Sequence, residues 1–429
     1  MTVIGLDDTD SRERGMCTTY LAACIAERVR GGGGDVERLL LVRLNPAVKH
    51  KTRGNAALAI HTDLDPERAF ELARDELEAA AETGDPKTNP GLVVAPHAPD
   101  EAPDEVAAFA RAAVREHCSR EDAERRIESA NYRHAGWKNA RGKIGALAAV
   151  GSWVAFSEWT YERISYRESE RWGTPREVDA ESVFVAADDA YPAIWDTVDR
   201  GTGGAVCVPR TPCPILHGIR GDDPDAVRRV ADRIDGEPVA RTALFVTNQG
   251  TDAHLRDADL GEVAGGVGAE AEGRAYRVAG TVASEPETRR GGHVFFDLAD
   301  EGSELRCAAF EPTKRFRNRV RNLRPGDRIA VCGEVSRGTL KLEKFAVCDL
   351  DTTELATPNC PDCGRSMKSA GAGQGYRCRD CGTRAEGKIE REVERELEPG
   401  WYEVPPEARR HIAKPLVRGG FDAPTHPER

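Results

Sequence analysis

The chain has 429 residues, with 61 Lys plus Arg against 73 Asp plus Glu and a formal net charge of −12. At ~100–200 residues per domain this length predicts two to four domains, and the acid excess excludes a basic-tail nucleic-acid binder, so a polyanionic partner must be met by local basic patches. No apolar run approaches the ~20 residues of a membrane-crossing helix, and the first one stops at Asp7-Asp8-Thr9-Asp10, which predicts a cytoplasmic protein with no secretory signal and no membrane partner.

In chain order, the N-terminal region reads as a strand (Val3–Leu6), an acidic loop, and a helix from about Thr18 to Arg30 closed by four glycines. Strands Leu39–Leu44 and Ala56–Ile60, a helix Pro66–Ala81 and further Ala- and Arg-rich helices up to Val150 complete an α/β unit, assigned to residues 1–155. Residues 156–256 give strand Thr160–Tyr166, helix Glu181–Asp196, short strands Ala205–Val208 and Ile215–Ile219, helix Pro224–Ile234 and strand Thr242–Thr247. That βαββαβ order predicts a ferredoxin-like domain. Asp257–Gly273 is Gly-, Ala- and acid-rich without periodicity and reads as a linker. Residues 274–350 carry five β-like runs, Tyr276–Ala283, His293–Leu298, Glu304–Phe310, Arg328–Val335 and Thr339–Val347, which predict an OB-fold barrel. Residues 356–385 hold two CxxC pairs, and residues 386–429 read as a charged helix (Ala385–Leu397) with a Pro-rich tail. The fold class is α/β and α+β multidomain, with no evident internal repeat.

Cys360-Pro-Asp-Cys363 and Cys378-Arg-Asp-Cys381 supply four thiolates on two tight turns, the pattern of a structural zinc ribbon in a reducing compartment; paired redox dithiols are the alternative. Asp7, Asp8 and Asp10 place three carboxylates within four residues at a strand end, tolerable where Mg²⁺ is held with phosphate, although a solvated acidic turn fits too. Arg14 and Gly15 precede Thr18 and Thr19 at a helix N-terminus, where free N–H groups suit a nucleotide phosphate. Lys51 and Arg53, in a basic loop, would hold triphosphate oxygens if that loop faces the Asp trio, and are otherwise a polar hairpin connection. Asn131–Gly145 interleaves Tyr and Trp with Arg and Lys, as stacking on unpaired bases requires and as a surface loop also allows. Lys314–Arg324 has six basic residues, including Arg317, Arg319 and Arg321, and no acid; it is a nucleic-acid patch or an amphipathic helix with Phe316, Val320 and Leu323 inward. Thr247–His254 has no large apolar residue and reads as a turn or a pocket wall outside the core.

The strings GLDDTDSRERGMCTTYLA, KTRGNAA, RGKIGALAAVG, PCPILHGIRG and TNQGTDAHL, followed by a barrel and a four-cysteine ribbon, resemble the archaeal tRNA-isoleucine 2-agmatinylcytidine synthetase (TiaS) family along the whole chain. The resemblance implies a kinase-like catalytic domain, a ferredoxin-like domain, an OB fold and a zinc ribbon. It also implies use of ATP to join agmatine to the wobble cytidine of the CAU anticodon of isoleucine tRNA. The family's phosphorylated threonine would be Thr18. Asp7, Asp8 and Asp10 would bind Mg²⁺ or activate the attacking group, with Arg14, Lys51 and Arg53 on phosphates. Asn248, Gln249 and Asp252 would hold agmatine or tRNA. No protein partner is implied. A non-catalytic OB-fold and zinc-ribbon RNA- or DNA-binding protein is the alternative from another class, and an enzyme using another amine, such as lysine, is a third. The scarcity of Lys, 11 of the 61 basic residues, fits a salt-adapted archaeon as well as a GC-rich genome.

Overall fold

The computed structural model describes residues 1–51 and 54–429. The first unit runs β1 (Thr2–Asp7), α1 (Thr18–Gly31), β2 (Val36–Arg43), β3 (Ala56–Thr62), α2 (Pro66–Ala80), β4 (Gly91–Ala95), α3 (Asp104–Arg115), α4 (Arg120–Ser129), β5 (Arg133–Gly136) and α5 (Lys143–Ala155). β1 is apolar without alternation because helices cover both its faces: Ile4 and Leu6 share a core with α1 and α2, Val3 with α3 and α5. α5 lies directly on β1. A Cβ at Gly5 would strike the Ala146 carbonyl, and one at Gly145 the Asp7 carboxylate, which is why this seam is glycine.

The second unit runs β6 (Thr160–Arg167), α6 (Ala180–Ala190), β7 (Ile194–Trp195), the hairpin β8 (Val198–Asp199) and β9 (Gly204–Ala205), β10 (Ile215–Gly221), α7 (Pro224–Ala231) and β11 (Val239–Thr247). Its antiparallel order β11-β6-β10-β7 is the expected ferredoxin-like arrangement, with one strand reassigned. The second strand is Ile194–Trp195, and the run from Ala205 pairs only with β8, off the sheet. The helix expected to reach Asp196 ends at Ala190, just before Pro192, which lacks the N–H a helix needs.

The first unit has the same order, β4-β1-β3-β2, a structural repeat that the sequence does not display. The two units share one sheet through a short parallel contact between β2 and β11, Leu40 to Val246 and Leu41 to Thr247.

The third unit follows as β12 (Leu255–Asp257), α8 (Leu260–Gly265), β13 (Ala275–Val282), β14 (Glu287–Thr288), β15 (Val294–Asp300), β16 (Ser303–Ala309), α9 (Phe316–Arg321), β17 (Arg328–Ser336) and β18 (Thr339–Asp349). The barrel closes as β13-β15-β16-β18-β17-β13, with β16 and β18 parallel, as an OB fold requires. The expected linker is in part helical: α8 buries Leu260 and Val263 in the barrel core. α9 caps the barrel with Phe316 and Val320, joined by Leu323, all at most 1% exposed, at the predicted helical spacing.

The remainder runs β19 (Thr353–Ala356), β20 (Lys368–Ser369), β21 (Tyr376–Arg377), β22 (Arg384–Ala385), β23 (Ile389–Glu392), β24 (Gly400–Glu403) and β25 (Thr425–His426). The charged helix expected over Ala385–Leu397 is instead extended, and β23 pairs antiparallel with β19. Its alternating charges suit either period, and the backbone partners offered by β19 decide for strand. The Pro-rich tail is likewise not a loose end. β24 adds to β18, β25 to β24, and Trp401, Tyr402, Val404, Ile412 and Leu416 are buried.

Within this strap Arg409 bridges Asp196 of the second unit (2.9 Å) and Glu403 (2.6 Å), and Arg418 reaches Asp222 (2.7 Å) and Glu158 (3.0 Å). No helix among the described residues is long and apolar enough to cross a membrane.

Candidate active site

Strand β1 ends at Asp7, helix α1 begins at Thr18, and between them the acidic loop folds back so that both termini face one cleft of about 330 Å³. Asp7, Asp8, Asp10, Thr18, Thr19 and Lys51 line it from the first unit, and Glu162 and Arg220 from the second. The cleft therefore exists only because the two halves of the sheet are joined.

The Asp7 carboxylate is held by the Asp8 N–H at 2.6 Å, and burial together with the neighbouring Asp8 charge raises its pKa well above the carboxylate range. Asp8 adopts a left-handed backbone (φ 58°) and pairs with Arg141 at 2.8 Å. Burial nonetheless outweighs Arg141 and pushes the Asp8 pKa up to about 6. Two carboxylates held this far from their ionised comfort form a donor set that a divalent cation would relieve by displacing protons.

Beside them Thr9 donates to the Thr18 hydroxyl oxygen at 3.1 Å, which leaves the Thr18 proton for another acceptor. Helix α1 opens without a side-chain cap among the described residues, so its first-turn N–H groups are available to an anion.

The cationic side differs from the sequence reading. Lys51 does line the cleft, donating to the Pro46 carbonyl, with its pKa lowered by burial. Arg53 lies outside the described residues. Arg14 is exposed beside Gly84 rather than in the cleft, and Gly15 closes the acidic loop by accepting from Ser11 N at 3.0 Å.

Three arginines not assigned to the site from the sequence line the cleft instead, Arg43, Arg141 and Arg220, of which Arg141 belongs to the basic and aromatic stretch Asn131–Gly145. Arg43 and Arg220 flank the buried Glu162 carboxylate at 3.6 and 3.2 Å. Glu162 and Arg220 are directly opposed in the β6–β10 register, which brings the carboxylate and the guanidinium together on one face.

Asn248, Gln249 and Asp252 do not line the cleft. Asn248 accepts from Arg43 N (2.7 Å) and donates to Arg43 O (3.1 Å), while Gln249 accepts from Arg43 Nε (2.7 Å). Both are fully buried, so the expectation that this stretch stays out of the core is wrong. The Asn248 amide, satisfied by the Arg43 backbone, is core without being apolar, whereas the buried Nε2 of Gln249 has no hydrogen-bond partner among the described residues. Asp252 instead grips Lys344 at 3.0 Å and Lys414 N at 2.7 Å, tying the barrel and strap to the catalytic sheet.

The arginine patch on α9 is divided. Arg317 turns inward to the Gly292 carbonyl (2.6 Å), Arg319 lies over the Tyr402 ring, and Arg321 donates to Thr288 (3.1 Å).

In the ribbon, sulfur atoms of Cys360, Cys363, Cys378 and Cys381 all lie within 4.8 Å of one another. Gly364 and Gly382, at φ 72° and 75°, close the two knuckles with N–H bonds to the carbonyls of Cys360 and Cys378. The donor set fits a four-thiolate metal site. Among the described residues the ribbon's buried apolar cluster is two of these cysteines and Met367, with Tyr376 and Ala385 partly buried against it, a core so small that a metal at the thiolates would be expected to hold the fold. Stripping the metal with a chelator is expected to expose residues 357–397 to protease while the barrel stays resistant; equal resistance before and after would contradict this.

Four family models match successive parts of the chain: the TiaS TCKD domain (residues 3–64), the TiaS FLD domain (140–254), an OB-fold nucleic acid binding domain (276–344) and the TiaS C-terminal zinc ribbon domain (357–397). The isoleucine-tRNA 2-agmatinylcytidine synthetase TiaS of Haloquadratum walsbyi is 53% identical, with 100% of each chain covered. The chain belongs to the TiaS family. Among solved TiaS structures, a complex of TiaS with its isoleucine tRNA and ATP is similar with a TM-score of 0.88 at 41% identity, covering 100% of this chain and 99% of that one. A complex of TiaS with the same tRNA, AMPCPP and agmatine gives 0.86 at 39%, with the same coverage. The TiaS order of units is the order found along this chain.

Proposed function

We infer that this chain is an ATP-dependent ligase that attaches agmatine to the wobble cytidine of the CAU anticodon of isoleucine tRNA, so that it reads AUA instead of AUG. The observation that carries this reading is the cleft itself: buried carboxylates, a threonine hydroxyl and an open helix N-terminus converge with basic side chains from two units. A protein that only bound RNA would gain nothing from carboxylates facing a polyanion.

The reaction demands activation, because the C2 carbonyl of cytidine is a poor electrophile. Phosphorylation of its oxygen makes a leaving group; the primary amine of agmatine attacks C2, loses a proton and expels phosphate. Asp7, Asp8 and Asp10 would hold Mg²⁺, which supplies charge neutralisation at the phosphates. Thr19 and Lys51, with Arg53 of the same basic loop, serve the triphosphate; Thr18 is the phosphate-accepting hydroxyl. Arg14 and Gly15 shape the acidic loop. Zn²⁺ in the four-cysteine ribbon is structural, since four thiolates fill a tetrahedral site and leave no position for a catalytic water.

Thr18→Ala is expected to reduce agmatine transfer at least ~10²-fold with tRNA affinity near wild type; normal transfer would remove Thr18 from the chemistry. For the function as a whole, the protein is incubated with ATP, Mg²⁺, labelled agmatine and an isoleucine tRNA transcript carrying CAU. Label entering the RNA is the expected result. Label entering from lysine instead, or from no amine, would overturn it.

A further inference from the structure

The junction between the two halves of the sheet is incomplete. β2 and β11 pair at Leu40–Val246 and Leu41–Thr247 and then diverge, so residues 36–39 and 242–244 face each other across a groove of about 520 Å³. The groove sits at the far end of α1 from the cleft: Thr18 and Thr19 line the cleft, and Ala23 through Arg30 line the groove.

Four arginines line it, Arg30, Arg38, Arg163 and Arg228. The two glutamates there already have partners, Glu27 with Arg241 (2.7 Å) and Glu37 with Arg38. Arg228 is held by Asp225 at 2.8 Å. Arg30 and Arg163 have no ion pair among the described residues, and the buried Nε of Arg163 has no hydrogen-bond partner. A buried guanidinium N–H left unpaired is costly and is normally met by an acceptor. Arg38 packs 3.9 Å over the ring of Trp153, which in turn stacks on Trp159, so this arginine is engaged by the protein itself.

We propose that this groove is a second RNA contact, in which Arg30 and Arg163 take phosphate oxygens of the tRNA backbone. Arginines that meet backbone phosphates supply the sequence-independent part of nucleic-acid affinity. Arg38 and Arg228 are spent within the protein, which leaves Arg30 and Arg163 as the two cations of the groove without an ion-pair partner among the described residues. The proposal rests on the reading of this chain as a tRNA-modifying enzyme.

The test compares wild type with the double variants Arg30→Ser/Arg163→Ser and Arg30→Lys/Arg163→Lys, measuring tRNA binding across a salt series and ATP binding at fixed salt. The Ser pair is expected to weaken tRNA about 10-fold and to flatten the log–log salt dependence by about 1 to 2 units, with ATP affinity unchanged. The Lys pair keeps the charges and should recover most of the affinity. A Ser pair that binds tRNA with wild-type affinity and slope, or that loses ATP affinity in step with tRNA affinity, overturns the proposal. A wild-type protein that transfers no agmatine would instead fail the functional reading, before any variant is compared.

Discussion

Replacing Asp7 with Asn is expected to cut agmatine transfer by ~10³-fold or more, about 4 kcal/mol of transition-state stabilisation, because it removes the innermost carboxylate facing the phosphates. The same substitution should make the metal-free protein more stable at neutral pH, which separates lost chemistry from lost folding. The sign follows from the raised pKa of Asp7. Below the ordinary carboxyl value of 3.8 the side chain is protonated in both states and contributes nothing. Above it the unfolded chain releases the proton while the folded protein holds it, so the folded state is penalised increasingly as pH rises toward the folded pKa. Asparagine carries no such penalty. Melting in the presence of a chelator at neutral pH should therefore give a higher Tm for Asp7→Asn than for wild type, with the difference vanishing below about pH 4. A variant that keeps transfer within tenfold of wild type, or that melts lower at neutral pH, would contradict the placement of Asp7.

The second large effect is expected at Arg409, in the C-terminal strap. Its side chain is 5% exposed, between Asp196 at 3% and Glu403 at 1%. Arg409→Met leaves two buried carboxylates without their shared counter-charge, a loss on the order of 3–5 kcal/mol. Because Asp196 belongs to the catalytic sheet and Glu403 to a strand added to the barrel, the loss falls on the joint between them. Calorimetry should show the barrel melting apart from the catalytic sheet, and tRNA-dependent transfer should fall more than ATP affinity. A single transition at the wild-type temperature would show that the strap does not hold the units together.

Much of this architecture was legible because its signals are local. The four cysteines announce their knuckles by spacing, α9 shows its buried face as Phe316, Val320 and Leu323, and β15 alternates with Val294, Phe296 and Leu298 inward. Asp7, Asp8, Asp10, Thr18 and Thr19 were readable because a strand end and a helix start bracket them in one short stretch.

What was not legible depends on partners distant in the chain. Arg43, Glu162 and Arg220 become one cluster only when β2 and β11, about 200 residues apart in the chain, join two consecutive units in the same sheet. Asn248 and Gln249 looked like pocket-wall residues because their amides are polar, yet the Asn248 amide is spent on the Arg43 backbone and the Gln249 oxygen on Arg43 Nε, contacts that only the joined sheet provides. Strand β23 and the C-terminal strap misled for a related reason: charge alternation and proline content report on local preference, whereas β19, β18 and buried ion pairs decide the conformation. Even the acidic balance of the whole chain proves uninformative about the substrate, since the basic groups are placed where phosphate would lie.

The most direct test is the mass of the wobble nucleoside recovered from isoleucine tRNA after incubation with ATP, Mg²⁺ and agmatine, with wild type and Asp7→Asn run side by side. Wild type should yield cytidine enlarged by agmatine with loss of water, and Asp7→Asn unmodified cytidine. Unmodified cytidine from both, or the enlarged nucleoside from both, would contradict the assignment of this cleft to agmatine transfer.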